Sequence, residues 1–376
     1  MKYRRFGKTN LSLSVFSLGT MRYLASQEIA RDTIQRAVEH GINHLETARG
    51  YGNSERYLGA ALKTGVGRSR DQLCITTKLS PVPEARTLTR QLDESLQRLG
   101  VEYLDCLAIH GLNTAEHLDW VKRPDGCMAA VRQAMAAGKV RHVGFSTHGP
   151  LEVILGAIAT DQFSFVNLHY YLFNQRNAAA VELAHQKDMG VFIISPADKG
   201  GMLYTPSPTL QQLCQPLTPL ALNYRFLLGD PRVTTLSVGP ATPEELEAPL
   251  QVADQDGALT PEETEILDRL AVHQLKTLGS DQCSQCFQCL PCPEAINIPE
   301  VLRLRNLSVA YDMTTFSKYR YAMFENAGHW FPGRRGDRCT DCGDCLPRCP
   351  ENLEIPALLR DTHARLGGQS RRRLWE

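Results

Sequence analysis

Eight of the chain's twelve cysteines fall between Cys283 and Cys349, in two blocks. The second block, Cys339, Cys342, Cys345 and Cys349 followed by Pro350, has the spacing C-x2-C-x2-C-x3-C-P. The first, Cys283, Cys286, Cys289 and Cys292 followed by Pro293, has one residue fewer before its last cysteine. Two-residue spacers let three sulfurs converge on neighbouring irons while a fourth returns from outside the tight turn, which is the thiolate arrangement of a [4Fe–4S] cluster. The ligand supply points to two clusters rather than one. Tetrahedral zinc also uses C-x2-C pairs and stays open as the alternative. If the fourth cysteines exchange, Cys283, Cys286, Cys289 and Cys349 form one set, and Cys339, Cys342, Cys345 and Cys292 the other; spacing leaves both pairings open. Each block runs into an isoleucine–proline helix start, INIPEVLRL and LEIPALLRD, so the tail reads as an internal repeat.

A second group of reactive residues interrupts apolar runs nearer the N-terminus. Glu46 closes INHLE, Lys78 closes LCITTK and His110 closes YLDCLAIH. Tyr51 follows in the loop RGYGNSE, where Gly50 and Gly52 permit a tight path. A phenol, an amine, a carboxylate and an imidazole in one cleft suit general acid catalysis. A lysine cation beside Tyr51 would ease loss of the phenolic proton, Glu46 would hold that lysine, and His110 would align a carbonyl oxygen by hydrogen bonding. The plainer readings are an ion pair between Glu46 and Lys78, a strand-end histidine and a loop aromatic.

These residues need a scaffold that brings distant strand ends together. Seven short apolar runs (42–46, 73–78, 103–110, 140–146, 163–168, 191–195 and 233–238) read as strands buried on both faces. Helical stretches lie between them, near 26–40, 54–63, 84–99, 119–137, 151–159, 177–188, 218–228 and 243–251. That alternation predicts an α/β fold, a closed TIM (β/α)8 barrel, with its eighth strand among the less obvious apolar segments and its reactive groups at the C-terminal strand ends. Composition changes after the helical stretch 261–277. The expected organisation is a barrel over 1–275, a linker over 276–282, and a small, mostly helical ferredoxin-like iron–sulfur domain over 283–376, with helices near 298–306 and 353–365. Between the cysteine blocks, residues 311–331 carry Tyr311, Phe316, Tyr319, Tyr321, Phe324, Trp330 and Phe331, which are expected to pack around the clusters or against the barrel.

The 41 basic and 41 acidic side chains balance, which argues against a nucleic-acid partner or a polybasic membrane anchor. Only Arg371, Arg372 and Arg373 are locally basic, and they read as a solvated terminus. No apolar stretch approaches the roughly 20 residues of a membrane span. The opening MKYRRFGKTN lacks an apolar leader run, and clustered thiols suit a reducing compartment, so the expected location is cytoplasmic. The scattered Cys74, Cys106, Cys127 and Cys214 sit in apolar contexts and read as core residues.

The segments KYRRFGKTNLSLSVFSLGTMR, ETARGYGNSE, VRHVGFS, ISPADKGGML and VGPATPEELE, in that order, resemble the aldo-keto reductases, and CTDCGDCLPRCPENLEIP extends the likeness to the branch with a C-terminal 4Fe–4S ferredoxin-type domain. The resemblance implies reversible reduction of an aldehyde or ketone by NADPH or NADH, with Tyr51 as proton donor and Glu46, Lys78 and His110 completing a tetrad. Glutamate stands at position 46 where aspartate is usual. Ser146 and Asn167 are implied to hold the nicotinamide carboxamide, Asn167 standing where glutamine is commoner. Gly19, Thr20, Ser195, Lys199, Gly200 and Gly239 are implied to line the rest of the cofactor path. Ile194 replaces the usual stacking aromatic, Pro240, Ala241 and Thr242 leave no basic residue for an adenosine 2′-phosphate, and Ala248 and Pro249 replace an adenine-side Glu–Asn pair. His148, His169, Tyr170 and Tyr171 are further candidates to line the pocket for a small carbonyl or alcohol substrate. Two functional classes follow: a nicotinamide-dependent oxidoreductase whose clusters exchange electrons with a ferredoxin-like carrier or stabilise the enzyme, or an electron-transfer or redox-sensing protein whose barrel is a scaffold.

Overall fold

The computed structural model describes residues 1–23 and 25–369; the Arg371–Arg373 run lies outside the described residues. Contacts divide the chain into two compact units: Met1–Gly200 with Asn223–Ala258, and Gly201–Leu222 with the chain from Leu259 onward.

Among the described residues the first unit holds ten strands: β1 (Tyr3–Arg5), β2 (Ser12–Ser14), β3 (Phe16–Gly19), β4 (His44–Glu46), β5 (Cys74–Leu79), β6 (Leu104–His110), β7 (Val140–Ser146), β8 (Phe165–Leu168), β9 (Gly190–Ile193) and β10 (Thr235–Val238). β3 to β10 close into an eight-stranded parallel barrel, with β10 pairing both β3 and β9. β3 is thus the strand that had no strong apolar run of its own. β1 and β2 form an antiparallel hairpin that sequence patterning did not announce. The Phe6 ring following β1 packs 5.1 Å from Phe165 at the start of β8. A side chain at Gly190 would strike that ring at 2.1 Å, so glycine at the start of β9 makes room for it. Farther in, both nitrogens of His44 are satisfied, at 2.7 Å from Ser17 Oγ and 2.7 Å from Thr76 Oγ1. Burial first, then the Lys78 charge, depress its pKa to about 3, so the barrel interior holds a neutral imidazole.

One expected helix is two. The stretch 119–137 divides into Ala115–Lys122 and Cys127–Ala136. Pro124 forces Arg123 into an extended conformation (φ −62°, ψ 133°), and Gly126 starts the second helix as its cap. The stretch 243–251 forms a 3-10 turn, Pro243–Leu246, and a single helical turn, Glu247–Leu250.

In the second unit, helix Pro261–Leu278 begins with a capping box in which the Thr260 side chain accepts from Glu263 N while the Glu263 side chain accepts from Thr260 N. It runs to Leu278, followed by a 3-10 turn at Gly279–Asp281. The two isoleucine–proline starts become helices Ile298–Tyr311 and Ile355–Leu366, each with proline in its first turn, where the missing N–H is harmless. A third helix, Thr314–Tyr321, arises within the aromatic segment. Tyr321, Phe324 and Phe331 are buried in this unit, with Phe324 and Phe331 rings 4.6 Å apart. The scattered Cys74, Cys106, Cys127 and Cys214 are all buried. Among the described residues no helix is long and apolar enough to cross a membrane.

Candidate active site and cysteine centres

Parallel register places the reactive residues at one end of the barrel. Gly19 pairs with Glu46 across β3 and β4, and His110, Ser146 and Asn167 form a lateral row across β6, β7 and β8. Every one of them is the last or next-to-last residue of its strand, the end where barrel sites assemble.

Lys78 and Glu46 are only 2% and 3% exposed. The Lys78 ammonium donates to Glu46 Oε1 at 2.8 Å and to the Thr47 carbonyl at 2.9 Å, and lies 4.8 Å from the centre of the Tyr51 ring. Burial opposes the lysine charge, but Glu46 and Tyr51 outweigh it and hold the Lys78 pKa above the usual value. Tyr51 differs from expectation in its balance. Lys78 pulls the phenol down, yet burial is larger and Glu46 adds to it, so the phenol is pushed above its usual value. His110 meets Tyr51 edge to face, with ring centroids 5.6 Å apart. Burial, then Lys78 and Lys199, lower the His110 pKa to about 3 and keep the ring neutral.

The site contains one contact that spacing did not reveal. Asn167 Nδ2 donates to Glu46 Oε1 at 2.8 Å. A carboxylate only accepts, so the amide orientation is forced. Its Oδ1 is buried without a hydrogen-bond partner. Asn167 therefore gives one N–H to Glu46 and leaves a buried acceptor oxygen unsatisfied. A primary carboxamide N–H is the group that satisfies such an oxygen, so the residues present fit a nicotinamide head here.

The other expected cofactor residues divide by role. Ser146 is buried, and its carbonyl accepts from Gly111 N at 2.9 Å and Leu112 N at 3.0 Å. Thr20 is engaged with the protein: its Oγ1 donates to the Glu46 carbonyl at 3.1 Å and accepts from Ser54 Oγ. Ser195 adopts a left-handed backbone (φ 52°) and its carbonyl accepts from Lys199 N at 3.0 Å. In the same turn a side chain at Gly200 would lie 2.0 Å from the Pro196 carbonyl oxygen, so the tight path requires glycine. Gly19 and Gly239 approach one another closely: a β-carbon on Gly239 would lie 3.8 Å from the Gly19 carbonyl. Arg22, not singled out in the sequence, donates to the Gly239 carbonyl at 3.1 Å and to the Glu245 carboxylate. It brings to this loop the basic side chain its own sequence lacks. Nothing local to either loop signals that pairing. His169 is buried, with Nε2 2.9 Å from His148 Nδ1 and Nδ1 against the Tyr171 hydroxyl, which also reaches the Ile194 carbonyl. Tyr170 packs on Phe226, with centroids 5.7 Å apart.

In the second unit the cysteines ring two cavities. One is lined by Cys283, Cys286, Cys289 and Cys349. The other is lined by Cys292, Cys339, Cys342 and Cys345. Cys349 is a charge neighbour of Cys283, and Cys292 of Cys345, as an exchange of fourth cysteines requires. Among the described residues no three His, Cys, Asp or Glu side chains converge on the position of a single ion. Four thiols around each cavity are the donor chemistry of an iron–sulfur cluster.

Residues 16–272 match the model of the aldo/keto reductase family, and residues 282–353 match that of a 4Fe-4S dicluster domain. The chain belongs to the aldo/keto reductase family, in the branch that carries a C-terminal 4Fe–4S ferredoxin-type domain. It is similar to an L-glyceraldehyde 3-phosphate reductase of Escherichia coli O157:H7, at 28% identity over 61% of this chain and 66% of that protein; the match thus spans just under two thirds of that relative. It is 22% identical to the uncharacterized oxidoreductase YqkF of Bacillus subtilis, over 71% of this chain and 95% of that one. Among solved structures, the holo form of the aldo-keto reductase AKR11C1 from Bacillus halodurans shares the fold, with a TM-score of 0.62 and 22% identity, covering 72% of this chain and 96% of the other.

Proposed function

We propose that the barrel, read as residues 1–275, reversibly reduces a small aldehyde or ketone to the alcohol with NADH or NADPH. The observation that carries this reading is the buried Glu46–Lys78 pair set under the Tyr51 ring, with a neutral His110 at its edge. When bound, the reduced nicotinamide supplies hydride to the carbonyl carbon. Tyr51 delivers its hydroxyl proton to the carbonyl oxygen. Its raised pKa keeps the phenol protonated until that oxygen gains charge, and the Lys78 ammonium then stabilises the phenolate left behind. Glu46 and the Thr47 carbonyl fix the ammonium. His110, neutral across the physiological range, orients the carbonyl by hydrogen bonding rather than by charge. Ser146 and the Asn167 acceptor hold the carboxamide, while Ser195, Lys199, Gly200, Gly19, Thr20 and Gly239 shape the path for the remainder; backbone donors and a lysine suit its pyrophosphate. The aldehyde in the E. coli relative's name supports a small aldehyde as the substrate class.

The C-terminal domain, read as 283–376, binds two [4Fe–4S] clusters on this proposal, with the fourth cysteines exchanged between blocks. The two cavities and their lining support it. A ferredoxin-like carrier is the partner suited to single electrons, and clustered thiolates suit the cytoplasm. The test is an anaerobic titration of the full chain with NADH and NADPH, then an aldehyde panel, beside iron and sulfide analysis. Nucleotide binding with aldehyde turnover and about eight irons per chain is expected. No nucleotide binding below millimolar concentration would put the scaffold reading in its place, and zinc without sulfide would overturn the clusters.

A further inference from the structure

The two cysteine blocks align residue for residue from their first cysteines through Pro291 and Pro347, after which the second block carries one extra residue, Arg348. Gln285, between Cys283 and Cys286, corresponds to Asp341, between Cys339 and Cys342. Both adopt the same left-handed backbone, with φ of 61° and 57°, so both side chains leave the turn in the same way. Their chemistry is opposite. Gln285 Nε2 donates to Cys283 Sγ at 3.4 Å, and is steadied by the Pro299 carbonyl at 2.8 Å in the first turn of helix Ile298–Tyr311. Asp341 Oδ1 stands 3.9 Å from Cys339 Sγ, held by Arg360 of helix Ile355–Leu366.

Resting on the two-cluster reading above, we infer that the cysteine sets are unequal redox centres: the set Cys283, Cys286, Cys289 and Cys349 binds the cluster reduced first, because Gln285 donates a hydrogen bond to a ligand sulfur where Asp341 sets a carboxylate. Reduction adds one negative charge to a cluster and its thiolates. An N–H aimed at a ligand sulfur stabilises that charge, whereas a carboxylate beside the sulfur opposes it. Other charges around the cavities do not reverse the order. Glu294 and Glu351 occupy equivalent positions after the two Cys–Pro pairs and cancel in the comparison. Arg360 pairs with Asp341, and Arg348 stands beside Asp344, with its Nε donating to the Asp344 carbonyl at 2.8 Å, so at a distance these opposite charges offset. What remains is the contact on the sulfur. An electron delivered to this domain then rests beside Cys283, and the Cys339 set is the more reducing of the two.

The test is a redox titration of the anaerobically reconstituted full chain, poised with dithionite as one-electron donor and followed by electron paramagnetic resonance, with iron and sulfide counted on each sample. Two one-electron steps are expected, with the first electron favouring one centre at least tenfold, a separation of about 59 mV. Gln285→Leu should lower the upper step and leave the lower one in place. The isosteric Gln285→Glu should lower the upper step further, and it covers the case in which the leucine variant fails to take up cluster. Asp341→Asn should raise the lower step alone. Coincident steps at about eight irons per chain, or Gln285 variants that leave the upper step unmoved, overturn this inference alone. About four irons, or zinc without sulfide, overturns the two-cluster reading and this inference with it.

Discussion

Replacing Glu46 with glutamine tests the electrostatics on which the proposed proton donor depends. The Lys78 ammonium is almost fully buried, and Glu46 is its partner at 2.8 Å. Removing one charge of a buried pair costs about 3–5 kcal/mol, because the other is left uncompensated. The structure also sets a ceiling. Without Glu46, burial, the largest influence on Lys78, loses its main opposing charge and is expected to drive the folded pKa below the ordinary 10.5. The lysine can then escape the penalty by shedding its proton, which costs about 4.8 kcal/mol at pH 7 and about 2 kcal/mol at pH 9, at 1.36 kcal/mol per pH unit below 10.5. In the native protein the sign is the reverse. The folded pKa is raised, so the pair's contribution is complete below pH 10.5 and is lost only as pH rises through the folded value. The deficit of Glu46→Gln must therefore shrink as pH rises from 7 to 9. At about 2–4 °C per kcal/mol, the expected fall in Tm at pH 7 is roughly 6–20 °C. Calorimetry of both proteins at pH 7 and pH 9 measures it, and Lys78→Met/Glu46→Gln, which removes both charges, should recover much of the loss. A deficit below about 1 kcal/mol at pH 7, or one that grows with pH, would refute the reasoning.

Tyr51→Phe should keep the barrel and its nucleotide affinity while lowering carbonyl reduction by about 10²–10⁴-fold, the range of a lost general acid; full turnover excludes Tyr51 as donor. His44 and His110 both have folded pKa values near 3. The unfolded chain takes up their protons first, so stability should fall as pH drops below 6.5, by up to about 1.4 kcal/mol per pH unit for each ring. NMR titration that finds either imidazole protonating near pH 6.5 contradicts this. Gly200→Ala would place a methyl 2.0 Å from the Pro196 carbonyl oxygen; a raised KM for nucleotide with a near-normal KM for aldehyde is expected, and unchanged kinetics would remove this turn from the cofactor path. The exchange Glu46→Asp with Asn167→Gln tests the contact between them: each single change should cost more than half of what the pair costs together, and simple additivity of the two would show that the side chains act independently.

Barrel closure was legible because parallel strands buried on both faces leave continuous apolar runs, as at Val140–Ser146 and Leu104–His110. The strand ends were legible for the complementary reason: Glu46, Lys78 and His110 interrupt those runs with groups that are costly to bury. β3 was harder, since Phe16–Gly19 is four residues long and carries Ser17 in its middle, where His44 accepts it as a partner from the next strand. Helix breaks at Pro124 were readable in principle, but an apolar pattern on both sides bridged them. Contacts between residues far apart in the chain were not readable at all. Arg22 reaches Glu245, and Asn167 reaches Glu46, through closure of the barrel rather than through any local spacing.

That last contact changes the meaning of two departures that the sequence presents separately. Glutamate at position 46 is one methylene longer than the usual aspartate, and asparagine at position 167 is one methylene shorter than the usual glutamine. Taken singly, the first would misplace the lysine and the second would weaken the hold on a carboxamide. In the folded chain the two side chains meet at 2.8 Å, across strands that are not neighbours in the barrel. Their combined length is conserved, and the added reach of one occupies the space given up by the other. Glu46 Oε1 accepts from both Lys78 and Asn167, so the residue that fixes the proposed proton donor's lysine also fixes the amide whose free oxygen faces the proposed nicotinamide. On the proposed function, cofactor seating and proton transfer would share one carboxylate oxygen, and a ligand that orders the Asn167 amide would be expected to order Lys78 beneath the Tyr51 ring as well.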